Sequence, residues 1–144
     1  MHQLNRISLA LLLMLVSAAC RGDKPADMTA NTSTVVRVTD VTLGRAIGGD
    51  KAVTDKTDDF KPNDTIYASV ATEGTAASAS LRARWTYGDG QVVDESTRTI
   101  APGGRTMTEF HIAKPDGWPL GNYQLEIFLD GRSAETKKFE VKGS

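Results

Sequence analysis

Side chains able to carry out covalent or acid–base chemistry are scarce in this sequence. The 144 residues include one cysteine, Cys20, and two histidines, His2 and His111. Enzymes of most classes need a nucleophile beside a base, or a bound metal, and too few Cys and His residues are present for a zinc site. His111 alternates with Phe110 and Ile112, which is typical of an exposed or edge-strand histidine. We therefore expect no enzyme activity and no cofactor.

Carboxylates are the remaining candidates for a ligand site. Five aspartates fall within the polar stretch 50–64, and Asp55, Asp58 and Asp59 are its weak candidates for metal ligands. Calcium prefers clustered oxygen ligands in loops. However, three lysines are interspersed among these aspartates, and no D-x-D-x-D-G pattern is present. We expect a solvated loop without a metal, and a calcium-stabilised binding domain is the alternative.

Trp118 is the candidate ligand contact, because it stands in a loop rich in glycine and proline, D-G-W-P-L-G. An aromatic ring that faces solvent in such a loop can stack on a sugar or a peptide. The competing interpretation is structural, with the indole capping the open end of the domain and packing on Pro119 and Tyr123. The sequence favours the structural interpretation, since large aromatic side chains are on average highly buried.

The first nineteen residues have the pattern of an export signal. Arg6 precedes the uncharged run 7–19, ISLALLLMLVSAA. This run is too short for a membrane-spanning helix, which needs roughly 20 apolar residues. A basic start, a short apolar stretch and small residues at its end are typical of a secretory signal. We therefore expect residues 1–19 to form a signal peptide.

The signal ends at S-A-A-C, residues 17–20, which resembles the lipobox of bacterial lipoproteins. The resemblance implies that the Cys20 thiol accepts a diacylglycerol and that cleavage leaves Cys20 at the mature amino terminus. Ser17 stands where the family prefers Leu or Val, and secretion with a free Cys20 is the alternative. Arg21 stands where the family carries the aspartate of inner-membrane retention, which favours the outer membrane, facing the periplasm.

A short tether and one all-β domain are predicted after the signal. Residues 20–33 are polar and lack periodicity, which predicts a disordered tether. Over 34–142, apolar and polar residues alternate in short segments, most clearly at 81–87, as in half-buried strands. About seven such segments are separated by Gly and Pro turns. This pattern predicts an antiparallel β-sandwich, with a small barrel as the alternative.

The last part of the domain resembles the final hairpin of bacterial immunoglobulin-like and fibronectin-III-like domains. The motif W-P-L-G-N-Y at 118–123 precedes an alternating segment, a D-G turn at 130–131 and F-E-V at 139–141. Trp85 stands where such folds often bury a tryptophan, and the Tyr123 hydroxyl is expected to bond a backbone group at a strand corner. The resemblance implies an immunoglobulin-like fold and no particular function.

These observations predict a lipid-anchored envelope protein that binds a partner or supports an assembly. The net charge is −1 and no basic stripe interleaves with aromatic residues, so we expect no nucleic-acid partner. The expected partners are the membrane, through the lipid on Cys20, and an unidentified envelope protein that contacts an edge strand or the loops at one end. The alternative is an accessory or inhibitor of an envelope enzyme, which presents the loop 115–121.

Overall fold

The computed structural model describes residues 35–143, which form eight β-strands. The strands are β1 (Arg37–Gly44), β2 (Asp59–Phe60), β3 (Ile66–Glu73), β4 (Ala79–Tyr87), β5 (Gln91–Ile100), β6 (Thr106–Ile112), β7 (Gly121–Leu129) and β8 (Arg132–Val141). One sheet has the order β1-β3-β6, and the other has the order β2-β8-β7-β4-β5. All pairs are antiparallel except β2 with β8.

The amino-terminal predictions concern residues that lie outside this description. The signal peptide 1–19, the tether 20–33 and the lipid on Cys20 therefore stay predictions. Within residues 35–143, no helix is long and apolar enough to cross a membrane.

The core lies between the two sheets and is built from alternate residues of the strands. In β4, Leu81, Ala83 and Trp85 are fully buried, while Arg82 and Arg84 between them are partly exposed. The strand β7 repeats this alternation. A period of two places successive side chains on opposite faces, so each such strand contributes one face to the core. The all-β sandwich predicted from the sequence is confirmed.

Two of the predicted turns form as expected. The hairpin predicted over 81–97 is the pair β4–β5, which turns at residues 88–90. The hairpin β7–β8 turns at Asp130 and Gly131, whose φ angles are 49° and 81°. Positive φ at both central residues matches the right-handed twist of the strands, which is why a two-residue D-G turn is favoured here.

The stretch 45–57, here called the strap, is more ordered than the sequence predicted. It folds over the outer face of the three-stranded sheet, where the Ser69 hydroxyl donates to the Lys51 carbonyl oxygen over 2.7 Å. Ile47 pairs with Val53, and Val53 is buried. The strand β2 follows directly and pairs with the end of β8. Isolated apolar residues in a polar stretch carry no strand periodicity, so the sequence favoured a solvated loop.

The two ends of the sandwich differ in what they contain. At the proximal end β1 begins, and the Arg37 guanidinium donates to the Glu73 carboxylate over 2.7 Å. At the distal end, the strands β3, β5 and β7 begin. The loops 61–65, 88–90 and 113–120 lead into these three strands, respectively. The amino-terminal segment and the distal loops therefore lie at opposite ends of the domain.

Gly44 provides a test of the strap, because it has no room for a side chain. A Cβ atom at Gly44 would overlap the Asp55 carbonyl oxygen and the Val53 side chain, whereas Gly49 has nothing within 4 Å. We expect Gly44→Ala to lower the free energy of unfolding by about 1–3 kcal/mol, since the strap must move. The matched control Gly49→Ala should change it by less than about 0.5 kcal/mol. Urea unfolding followed by tryptophan fluorescence measures both, and equal stabilities would contradict the described packing.

Candidate functional site

A cleft of about 370 Å³ opens at the distal end, between the start of β5 and the loop 113–120. This volume is within the range of ligand sites, roughly 300–1,000 Å³. The cleft is lined by Tyr87, Val92, Val93, Trp118, Pro119 and Tyr123, together with the polar side chains Gln91 and Lys114. Its walls therefore combine aromatic and aliphatic side chains with polar groups in similar proportion.

Trp118 forms a fixed wall of this cleft. Its indole Nε1–H donates to the Asp64 carbonyl oxygen over 3.0 Å. Its backbone N–H donates to the Pro62 carbonyl oxygen over 2.7 Å. The ring meets Tyr123 edge to face at 6.2 Å between centroids. Only 7% of the residue is exposed, which leaves too little ring face for stacking on a sugar. The structure thus gives Trp118 a packing role and makes it part of the cleft wall.

The loop 113–120 is also held by the hydroxyls of two tyrosines. Tyr123 donates to the Pro119 carbonyl oxygen over 2.7 Å, as predicted for a strand corner, and Tyr87 donates to that of Leu120 over 2.9 Å. Burial raises the pKa of Tyr123, and the neighbouring Tyr87 adds to this effect, so the phenol stays a neutral donor at physiological pH. The loop is thereby preorganised.

An aromatic column joins this loop to the core. Tyr123 lies 4.7 Å from Tyr87 and stacks on Phe139 at 5.3 Å, between ring centroids. Phe139 in turn meets Trp85 edge to face at 5.9 Å. The predicted burial of Trp85 is confirmed, because none of its surface is exposed. Offset and edge-to-face pairs of this kind stabilise a core beyond their buried area.

A second cleft, of about 290 Å³, shares Val93 and Trp118 with the first. It extends between β5 and β6 and is also lined by Asp94, His111 and Ile112. The His111 Nδ1 atom lies 2.7 Å from the Glu109 carboxylate, and the residue is exposed on an edge strand, as predicted. The two clefts form one groove at the open corner of the sandwich.

The three aspartates that the sequence offered as weak candidates for metal ligands each interact with a different group. Asp55 pairs with the Arg45 guanidinium at 3.0 Å and Asp59 with the Lys142 ammonium at 2.8 Å. These hydrogen bonds to the carboxylates raise the pKa values of Arg45 and Lys142. Asp58 accepts a backbone hydrogen bond and lines a separate charged cleft of about 450 Å³ between β1 and β8. Residues 35–143 contain no group of three or more His, Cys, Asp or Glu side chains suited to a metal.

Sequence reasoning missed Tyr87 and Val92, which line the distal cleft. Val92 is 53% exposed, and Leu120 in the adjacent loop is 55% exposed. The dipeptide Val92-Val93 directly after the turn 88–90 was a usable signal, because apolar side chains at consecutive strand positions place one of them outside the core. The position of Val92 beside Trp118 depends on the tertiary fold.

Comparisons with known proteins identify the fold. The chain matches no protein-family model and no curated protein sequence. Among solved structures, it is similar to an immunoglobulin-like protein from Pseudomonas aeruginosa, with 17% identity, a TM-score of 0.51 and coverage of 76% of this chain and 98% of that chain. It is also similar to the C-terminal domain of Wzt, with 8% identity, a TM-score of 0.53 and coverage of 76% and 73%.

A third similar structure is a cycloisomaltooligosaccharide glucanotransferase from Paenibacillus sp., with 18% identity and a TM-score of 0.51. The match covers 74% of this chain and 14% of that enzyme. At such identities the likeness shows the fold alone, because this kind of sandwich carries many unrelated functions. The predicted immunoglobulin-like fold is confirmed.

Calcium provides a test of the aspartates in the strap and β2. Because Asp55 and Asp59 already have cationic partners, we expect millimolar calcium to leave the melting temperature of the protein unchanged. This concentration is high enough to occupy a weak calcium site, with a Kd of about 10⁻⁴–10⁻³ M, if one were present. Differential scanning fluorimetry with calcium, and with a chelator as the control, measures this. A rise of several degrees that Asp55→Asn abolishes would contradict the assignment.

Substitutions at Trp118 test its packing role. We expect Trp118→Ala to lower the free energy of unfolding by about 3–5 kcal/mol, because a large buried side chain is lost. Trp118→Phe keeps most of the packing but removes the donor to Asp64, and should cost about 1 kcal/mol. The control Leu120→Ala, at an exposed position, should cost less than about 0.5 kcal/mol. If urea unfolding showed Trp118→Ala to be as stable as Leu120→Ala, the indole would not hold the loop.

Proposed function

We propose that this immunoglobulin-like protein is a lipid-anchored binding domain of the bacterial envelope that contacts a partner protein through its distal end. The observation that carries the proposal is the preorganised cleft at the end of the sandwich opposite to the start of β1. An anchor on Cys20 and a site at the distal end would thus lie on opposite sides of the domain.

The geometry suits a domain that reaches away from a bilayer. The eight residues of β3 place the distal end roughly 25 Å beyond the proximal end, at about 3.3 Å per residue. A flexible tether of residues 20–33 would add roughly 20 Å. The sum of these two lengths would place the cleft roughly 45 Å from the membrane surface if acyl chains on Cys20 anchor the protein. A partner in the periplasm could reach it without approaching the lipid.

The side chains at the cleft suit binding better than catalysis. The tyrosine hydroxyls at the cleft donate to backbone carbonyls, and the Trp118 N–H is used in the same way. His111, in the adjoining cleft, contacts the half-buried Glu109 carboxylate and has no nucleophilic neighbour among its hydrogen-bond partners in the described residues. Rigid aromatic walls beside exposed apolar side chains are typical of protein interfaces. The proposed role is therefore non-enzymatic.

The proposal is tested in intact cells by combining anchor removal with site-specific cross-linking. We expect the native chain to fractionate with membranes and to incorporate an alkyne-tagged fatty acid, because acyl chains bind a bilayer strongly. Cys20→Ala should be unlabelled and soluble. A photo-reactive amino acid at Val92 or Leu120 should yield a discrete adduct with another protein, since both side chains are exposed at the distal end.

The matched control carries the same photo-reactive group at Thr99, which is exposed at the far end of β5. Adducts of equal yield at Thr99 and Val92, or none at either distal position, would contradict binding through the distal end. Fatty-acid labelling that persists in Cys20→Ala would contradict the anchor. The two halves of the proposal thus fail separately.

A further inference from the structure

Among residues 35–143, the strand β5 leaves one edge of its sheet unpaired. It pairs with β4 alone, and β6 is likewise the edge of the other sheet, on the same side of the sandwich. The two clefts described above lie between these edges at the distal end. An unpaired edge is a template for another strand, and natural proteins usually protect it.

Most of β5 is protected by charged and polar side chains that point toward the core side. Its register places Asp94, Ser96 and Arg98 opposite Trp85, Ala83 and Leu81, the buried residues of β4. The Arg98 guanidinium carbon lies 6.0 Å from the centre of the Phe110 ring, between the sheets near the proximal end of β5. Inward-pointing polar and charged side chains of this kind disfavour strand addition over 95–100.

The first residues of β5, 91–93, carry no charged side chain. A bulge interrupts the pairing between β4 and β5, so that Thr86 pairs with Val92 and Trp85 with Asp94. The extra residue, Val93, packs against the core, while Val92 is 53% exposed. Bulges re-aim side chains and often occur at functional sites. Here the bulge directs Val93 toward the Trp118 wall and leaves Val92, which pairs with Thr86 on the outer face, exposed at the rim of the cleft.

Charges of opposite sign lie on either side of this apolar segment. Lys114 lines the cleft at the distal end, and Asp94 lines the adjoining cleft toward the middle of the strand. Within residues 35–143 neither side chain forms a salt bridge. Val93 and Trp118, which line both clefts, lie between them. The groove therefore offers a negative, an apolar and a positive position in succession.

We propose that residues 91–94 of β5 accept an extended segment of a partner protein as an added antiparallel strand. Since β5 runs from the distal toward the proximal end, an antiparallel segment meets Asp94 first and Lys114 last. Its side chains that face the groove are then a base, an apolar residue and an acid at positions i, i+2 and i+4, because strand side chains alternate. Backbone hydrogen bonds supply affinity in this mode, and the side-chain positions supply specificity.

This inference deepens the proposed binding function and is independent of the lipid anchor. The residues of β5 that line the two clefts are 91–94, so the groove accommodates about four residues of this strand. Four residues span roughly 13 Å, which favours a short linear segment over a whole sheet edge.

Synthetic peptides test the proposal on the full chain, purified from membranes in detergent. The first probe is fluorescein-labelled T-K-T-L-T-D-T, and the second, T-D-T-L-T-K-T, exchanges its two charges. Fluorescence polarisation should show saturable binding of the first probe and at least about fivefold weaker binding of the second, since each ion pair at such sites contributes modestly. Equal affinities for the two probes, or no saturable binding, would overturn the proposal.

Variants of exposed residues locate the binding. Lys114→Glu should lower the affinity for the first probe about fivefold. The same variant should bind tightly to a third probe, T-K-T-L-T-K-T, in which the last charge is reversed. Val92→Asp should abolish binding, while Thr99→Asp on the same strand should leave it unchanged. Far-UV circular dichroism confirms that each variant is folded. Binding that Lys114→Glu and Val92→Asp leave unaltered would overturn the assignment.

Two further results separate this inference from neighbouring ones. If sedimentation showed self-association that Val92→Asp abolishes, the occupant would be a second copy of this chain, and the proposal of a partner segment would be wrong. If the peptides failed but the photo-reactive group at Val92 still captured a partner in cells, binding through the distal end would stand and strand addition would not.

Discussion

The packing of Tyr123 is the interaction on which the distal half of this structure depends. Its ring stacks on Phe139 in the core and contacts Trp118 and Tyr87 at the end of the sandwich. Its hydroxyl holds the Pro119 carbonyl oxygen. One side chain thus connects the core to the loop that forms the cleft. No disulfide is available to the domain, since the chain has one cysteine, and aromatic packing must hold the loop instead.

The outer faces of the two sheets are covered in different ways. The strap covers the three-stranded sheet, whereas on the five-stranded sheet Phe128 points outward beneath two guanidinium groups. The guanidinium carbons of Arg82 and Arg84 lie 4.1 and 5.1 Å from the centre of the Phe128 ring. Arg84 also donates to Glu95 over 2.7 Å, a hydrogen bond that lowers the pKa of that carboxylate. Cation–π contacts and ion pairs therefore shield this face from apolar association.

Shielding of both faces concentrates the accessible apolar surface at the distal end. Among the described residues, the exposed large hydrophobic side chains are Val35, which precedes β1, and the distal Val92 and Leu120. The two distal side chains lie beside a loop held by four hydrogen bonds, which suits recognition because little conformational entropy is lost on binding.

Local patterns in the sequence were enough to predict seven of the eight strands, two of the turns and the anchors of the core; the short strand β2 was missed. Alternation with period two is a local property, so β4 and β7 could be recognised from residues such as Leu81 and Leu125 without knowledge of their neighbours. The D-G turn at 130–131 and the burial of Trp85 followed in the same way. Tertiary structure decided which surfaces are covered: it folded the strap over one sheet, buried Trp118, and placed Val92 beside that indole. These outcomes depend on contacts between residues far apart in the chain, for which a local pattern carries no signal.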